Sequence, residues 1–138
     1  GALMLALEIV TDALRGIGVI SEIDTASAEQ GQDGVRRLNE LMASLAEDGI
    51  DLGWVPIEDT ADAVVLPAGE VRSIKALLGV NMASIYGAEI PQQVASVAGY
   101  GYARMLRNAL LMAQTAVSLA SISHGEGSAP LYDINRGY

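Results

Sequence analysis

Through the first fifth of the chain the apolar positions recur at steps of three and four. Leu3, Ala6, Leu7, Val10, Ala13, Leu14 and Ile17 share one face, while Glu8, Thr11, Asp12 and Arg15 fill the other. This spacing predicts a helix from about Leu3 to Arg15. Gly16 and Gly18 then permit a left-handed turn, and Ser27 with Gln30 matches the S-x-x-Q capping box that starts a second helix over roughly 28–47. Its inner face reads Val35, Leu38, Leu41, Met42 and Leu45, although Gly31 and Gly34 each cost about 1 kcal/mol against alanine in a helix. Gly49 ends it. Between residues 50 and 66 the helical period is lost: Leu52, Trp54, Val55 and Ile57, then Val64, Val65 and Leu66, flank the polar run 58–62. Two short extended segments and a turn fit this pattern, and Pro56, which has no N–H to donate, confines them to an edge or a projecting arm. A third helix follows over about 69–86, with Val71, Ile74, Leu77, Leu78, Met82 and Ile85 on one face and Gly87 as its C-cap. Pro91 suits the first turn of a fourth helix, whose face continues through Val94, Val97, Ala98, Gly101, Met105, Ala109 and Met112. The expected fold is all-α. It is a four-helix domain over residues 1–120, with a small β-hairpin arm between helices 2 and 3 at 50–66, and an extended, flexible C-terminal tail over 121–138.

Composition narrows the function classes. With 138 residues, 51% of them hydrophobic, one domain buries a core without staples, and the absence of cysteine excludes disulfides, thiol catalysis and cysteine-ligated metals. The formal charge of −9 is uneven: residues 1–70 hold fourteen acids and three bases, residues 71–138 three acids and five bases. An acidic surface repels the phosphate backbone, so nucleic acid is not expected as a tightly held ligand, although DNA passing by is compatible with it. The most apolar stretch, 109–122, carries Gln114, Thr115, Ser118 and Ser121 and falls short of the ~20 residues of a membrane span. No membrane association is expected, and the first residues lack the basic region of a secretory signal.

Chemistry is thinly represented. Gly16-Ile-Gly18 and Gly99-Tyr-Gly101 do not stand between a strand and a helix as a dinucleotide loop requires, so they read as a helix end and a packing site. Ser121, Ser123 and His124 fall in the expected linker, away from any rigid scaffold. Carboxylate pairs such as Glu47 with Asp51 are common by chance among seventeen acids. No catalytic residue, cofactor site or metal site is therefore assigned. The aromatic residues say more. Trp54 and Tyr86 stand where elements end and are expected to cover the core, whereas Tyr132 and Tyr138, with Leu131, Asp133, Ile134 and Arg136, form a terminal segment of the kind that docks on a partner. Small residues lie on several faces of helix four. Among them Ala95, Gly99 and Ala103 are expected to pack against adjacent copies of the chain.

The segments Ala13-Leu-Arg-Gly-Ile-Gly-Val-Ile20, Ala28-Glu29, Leu38-Asn-Glu-Leu-Met42 and Gly49-Ile-Asp-Leu52 resemble the opening of phage head-to-tail adaptor proteins, also called head completion or connector proteins, of the podovirus tail accessory factor type. Leu66-Pro-Ala-Gly69, Ala76-Leu77, Asn81-Met-Ala83 and Ile85-Tyr-Gly87 resemble the same family's Leu-Pro turn, third helix and Tyr-Gly stop, so the likeness covers about residues 5–113. It implies a non-enzymatic virion protein, made in the bacterial cytoplasm, that forms a ring, usually of twelve copies, beneath the portal protein. Such a ring extends the DNA channel toward a tail or nozzle protein, and DNA slides through it without being gripped. On that reading Glu47, Asp48 and Asp51 would face the channel, and the segment from Leu131 to Tyr138 would dock on the portal. Two alternatives stay open from the residues alone: an interaction module of another assembly, and a small carboxylate-dependent cell-wall hydrolase.

Overall fold

The computed structural model describes residues 1–124. Its elements run β1 (Ala2–Leu5), α1 (Ala6–Gly16), α2 (Ala28–Glu47), β2 (Ala63–Leu66), α3 (Val71–Ala83) and α4 (Gln92–His124), with one 3-10 turn, Ala68–Glu70, leading into α3. The protein is mostly helical with a small two-stranded antiparallel sheet. It divides into two units, residues 1–106 and 107–138, and the boundary falls inside α4.

The sheet departs from expectation at both ends. Residues 2–5 are not the start of the first helix but a strand, paired antiparallel with Ala63–Leu66 in the register Leu3 to Val65 and Leu5 to Ala63. The hairpin expected within 50–66 does not form, because only 63–66 is a strand and its partner is β1. The reason lies in the backbone of 50–57. Pro56 lacks a donor, and Gly53 adopts a left-handed φ of 71°, so this segment cannot offer a regular ladder. By contrast Ala-Leu-Met-Leu and Ala-Val-Val-Leu hold only apolar residues, four to each strand. Because β1 runs directly into α1, no side chain caps that helix. Its first free donors are met by backbone instead: Ala6 N–H donates to the carbonyl of Asp62 and Leu7 N–H to that of Thr60, each at 2.9 Å.

The capping box of α2 forms as expected, with Gln30 N–H donating to Ser27 Oγ at 3.2 Å and Ser27 N–H to Gln30 Oε1 at 2.9 Å. The glycines that weaken α2 in isolation are explained by its neighbours. A Cβ at Gly34 would overlap the side chain of Val10, and one at Gly31 would stand 2.7 Å from Thr60 Cγ2. α2 therefore trades helix propensity for a close approach to α1. α1, α2 and α3 pack on one another, and Ile9, Val10, Leu14, Leu38, Ile74, Leu78 and Met82 are fully buried together with Leu66 of β2. Burying each of these side chains stabilises the unit by about 1.5–3 kcal/mol. α3 stops at Ala83, three residues before the expected end, and the chain turns through Gly87 with Ala88 N–H donating to the carbonyl of Ala83 at 2.9 Å.

Within the first unit the opening turns of α4 bury Ala98, Gly101 and Met105. A Cβ on Gly101 would overlap Ser73 of α3, so the two helix backbones meet at this point. In the second unit α4 exposes Leu110, Leu111, Met112, Val117 and Leu119. Met112 therefore does not extend the buried face that its spacing suggests.

Candidate assembly interface

The acids at the end of α2 are surface groups, and two of them have local partners. Asp48 is the C-cap residue of α2, and its Oδ2 accepts a hydrogen bond from the Tyr102 hydroxyl of α4 at 2.7 Å. That bond to a carboxylate pushes the Tyr102 pKa up from its ordinary value, with desolvation and the Asp48 charge adding to it. Asp51 Oδ1 accepts from Gly53 N–H at 2.9 Å and so shapes the turn that leaves α2. Glu47 makes no hydrogen bond or ion pair among the described residues. All three side chains are exposed, on a unit whose α2 also presents exposed Glu29 and Glu40.

Helix α4 shows two different faces before residue 106. Ala98 and Gly101 lie against the domain, whereas Ala95, Gly99 and Ala103 form a stripe at intervals of four that is exposed, with open space where a Cβ on Gly99 would lie. Tyr100 is 77% exposed on the same helix. The small residues at 98 and 101 thus serve the fold of one chain, and those at 95, 99 and 103 are left on its surface. Arg104 fastens this helix to the start of α3, donating from Nη2 to Glu70 Oε1, to Ser73 Oγ at 3.1 Å and to the Gly69 carbonyl at 3.3 Å.

Sequence reasoning missed the residue that positions the arm over 50–57. Asn39 of α2 donates from Nδ2 to the Ile57 carbonyl at 2.7 Å, and its Oδ1 accepts from Ile57 N–H and from Trp54 Nε1, both at 3.1 Å. One side-chain amide thereby replaces the sheet partner that this segment lacks, and Trp54 covers the core as expected, half-buried. The only sequence signal is a polar residue between Leu38 and Leu41 on a helix whose neighbours are buried. Tyr86, also half-buried, donates to Asp33 Oδ2 at 3.4 Å, and burial followed by the Asp33 charge pushes its pKa up. A third group, Asp12, joins α1 to α3: Lys75 Nζ lies 2.7 Å from its Oδ2 and Arg15 Nη1 3.3 Å from its Oδ1.

Among the described residues no group of three His, Asp or Glu side chains is placed to hold a metal ion, and no helix is long and apolar enough to cross a membrane. The tail residues Leu131, Tyr132, Asp133, Ile134, Arg136 and Tyr138 lie outside the described residues. No curated protein matches the chain. The family model of the P22 tail accessory factor matches residues 4–133, nearly the whole length, in agreement with the resemblance read from the motifs. This chain belongs to the P22 tail accessory factor family, and with it to the structural proteins of phage virions.

Proposed function

We propose that the protein is a non-enzymatic head-to-tail adaptor, a ring-forming subunit seated beneath the portal protein, through which DNA passes toward a tail or nozzle protein. The observation that carries this reading is the family match across residues 4–133. Two features of the first unit support it. The exposed stripe Ala95, Gly99 and Ala103 lets a neighbouring copy approach the α4 backbone closely, as packing around a ring of about twelve requires. The exposed acids Glu47, Asp48 and Asp51 suit a channel wall, since like charge keeps phosphate moving instead of holding it. The terminal segment from Leu131 to Tyr138 is the portal-docking element in this proposal. Repetition of the contact around the ring would reinforce its docking.

Electron microscopy of native particles tests the ring, which is expected as a closed layer between portal and tail; particles whose neck lacks this subunit would refute it. Deleting residues 131–138 tests the docking element. The thermal midpoint is expected to stay nearly unchanged while portal binding is lost, and undiminished binding by the truncated chain would remove the docking role.

A further inference from the structure

A cleft of about 320 Å³ opens in the first unit between α1, α3 and the start of α4. Its walls are apolar, from Ala13, Ala76, Val94 and Val97, and its polar lining includes Arg72 and Lys75. Lys75 is committed to Asp12, but Arg72 is exposed and makes no ion pair or hydrogen bond among the described residues. An enclosed apolar cavity of roughly 150 Å³ already admits a benzene ring, so the cleft is large enough for a branched aliphatic side chain.

A complementary shape stands close by on the same chain, on a loop tied through Arg15 to Asp12 of the cleft lining. In the loop between α1 and α2, Ile23 is 90% exposed and is flanked by Glu22 and Asp24, whose carboxylates have no partner among the described residues. A single exposed isoleucine is ordinary. This one sits on a held loop: Arg15 Nε donates to the Asp24 carbonyl at 2.9 Å, Asp24 N–H to the Ser21 carbonyl at 3.1 Å, and Ala26 N–H to Thr11 Oγ1 at 3.2 Å. An apolar tip between two carboxylates, fixed before contact, loses little entropy on docking.

We propose that the Glu22-Ile23-Asp24 tip of one copy seats in the cleft of the next, with Ile23 against Val94 and Val97 and the flanking carboxylates meeting Arg72. The proposal rests on the ring reading and assigns two surfaces to its repeating contact. Tip and cleft are different patches, and Ile23 is too exposed to fill the cleft of its own chain. On the ring reading each copy engages a different neighbour at its tip and at its cleft, a heterologous contact of the class that generates rings when its rotation closes.

Because the chain has no cysteine, engineered pairs report unambiguously. Full-length Ile23→Cys and Val97→Cys proteins are prepared separately, then mixed with a short bismaleimide, at high concentration and on purified portal protein. Linked dimers are expected in the mixture and not in either protein alone; links within the Ile23→Cys sample alone would overturn the arrangement. Arg72→Glu, at an exposed position, is expected to leave the thermal midpoint unchanged and to weaken self-association about tenfold. Adding Glu22→Lys and Asp24→Lys in the same chain is expected to restore it. Assembly indifferent to Arg72→Glu and to Ile23→Ser would overturn this inference while leaving the ring in place. A mixed link that appears only after residues 131–138 are deleted would instead assign the cleft to the tail and also overturn it. A wild-type chain that sediments as a monomer with and without portal would remove the ring reading and this contact together.

Discussion

Replacing Asn39 by alanine should release the arm over 50–57 from α2, and the structure allows the cost to be worked out. Three hydrogen bonds are lost at once: the Nδ2 donation to the Ile57 carbonyl and the two that Oδ1 accepts from Ile57 and Trp54. Each neutral bond is worth about 1 kcal/mol net, and a donor left without water costs more, so the expected loss is roughly 2–4 kcal/mol. The upper end applies if Ile57, whose side chain is buried, stays in place and its N–H and C=O remain dry. For a domain of this size that corresponds to a fall in thermal midpoint of roughly 6–16 °C. Trp54 is the only tryptophan, so its emission reports the arm directly. Asn39→Ala should shift that emission to the red in the folded protein and lower the urea midpoint measured by circular dichroism. Asn39→Asp keeps an acceptor for the two N–H groups but sets an oxygen against the Ile57 carbonyl, so it should not restore stability. A midpoint unchanged within about 0.5 kcal/mol, with unshifted emission, would refute the view that this one amide substitutes for a strand partner.

The two glycines of α4 provide a matched pair. Gly101→Ala, where a Cβ would overlap Ser73, is expected to cost about 1–3 kcal/mol through overpacking, whereas Gly99→Ala, with open space, should gain up to about 1 kcal/mol of helix propensity in the free chain. Equal thermal midpoints for the two variants would contradict the close contact of α4 with α3. Asp62 yields a test of pH dependence. Its Oδ2 accepts from Glu58 N–H and Asp59 N–H, at 2.9 and 3.0 Å, and these bonds hold its pKa below the ordinary 3.8. A depressed carboxylate contributes stability that is fully present above 3.8 and is lost as the pH falls through the lower, folded value. Asp62→Asn should therefore reduce stability near neutrality and flatten the acid limb of the curve below 3.8. An acid limb identical to that of the parent chain would exclude this role.

The helices were legible because their signals are local. Ser27 and Gln30 make their cap with atoms three residues apart, and the buried faces of α1, α2 and α3 largely follow the spacing of their apolar residues, except that Thr11, expected on the polar face, is buried and Ile85, expected on the inner face, is exposed beyond the end of α3. What was misread depends on distant partners. Leu3 continues the helical period of α1, but the first turn of a helix that began there would have lacked a side-chain cap. The pairing with Ala63–Leu66 satisfies this backbone as a strand and passes α1 to the carbonyls of Thr60 and Asp62. No window of fifteen residues contains that information. The same holds for Asn39, whose bonds reach eighteen positions along the chain. Gly31 and Gly34 are the converse case. They weaken α2 as a sequence and are required by it as a structure, since Thr60 and Val10 occupy the places their side chains would take.

The small residues of α4 divide in the same way, and the division bears on how a subunit of the proposed ring could fold alone and still pack against copies of itself. Ala98 and Gly101 differ from Ala95, Gly99 and Ala103 only in phase around α4, and composition cannot distinguish them. Burial does: the first pair is buried, with Gly101 against Ser73 of α3, and the second set stays bare. A chain whose own core is closed by α1, α2 and α3 does not need its neighbours in order to fold, so contacts between copies can be individually weak. In the proposed ring such weak contacts would still hold, because each subunit would gain two neighbours and a shared template. On the proposed ring Asp48 would serve both levels: it fastens Tyr102 to the end of α2 and leaves its carboxylate at the surface, where a fixed negative charge would repel phosphate in the channel.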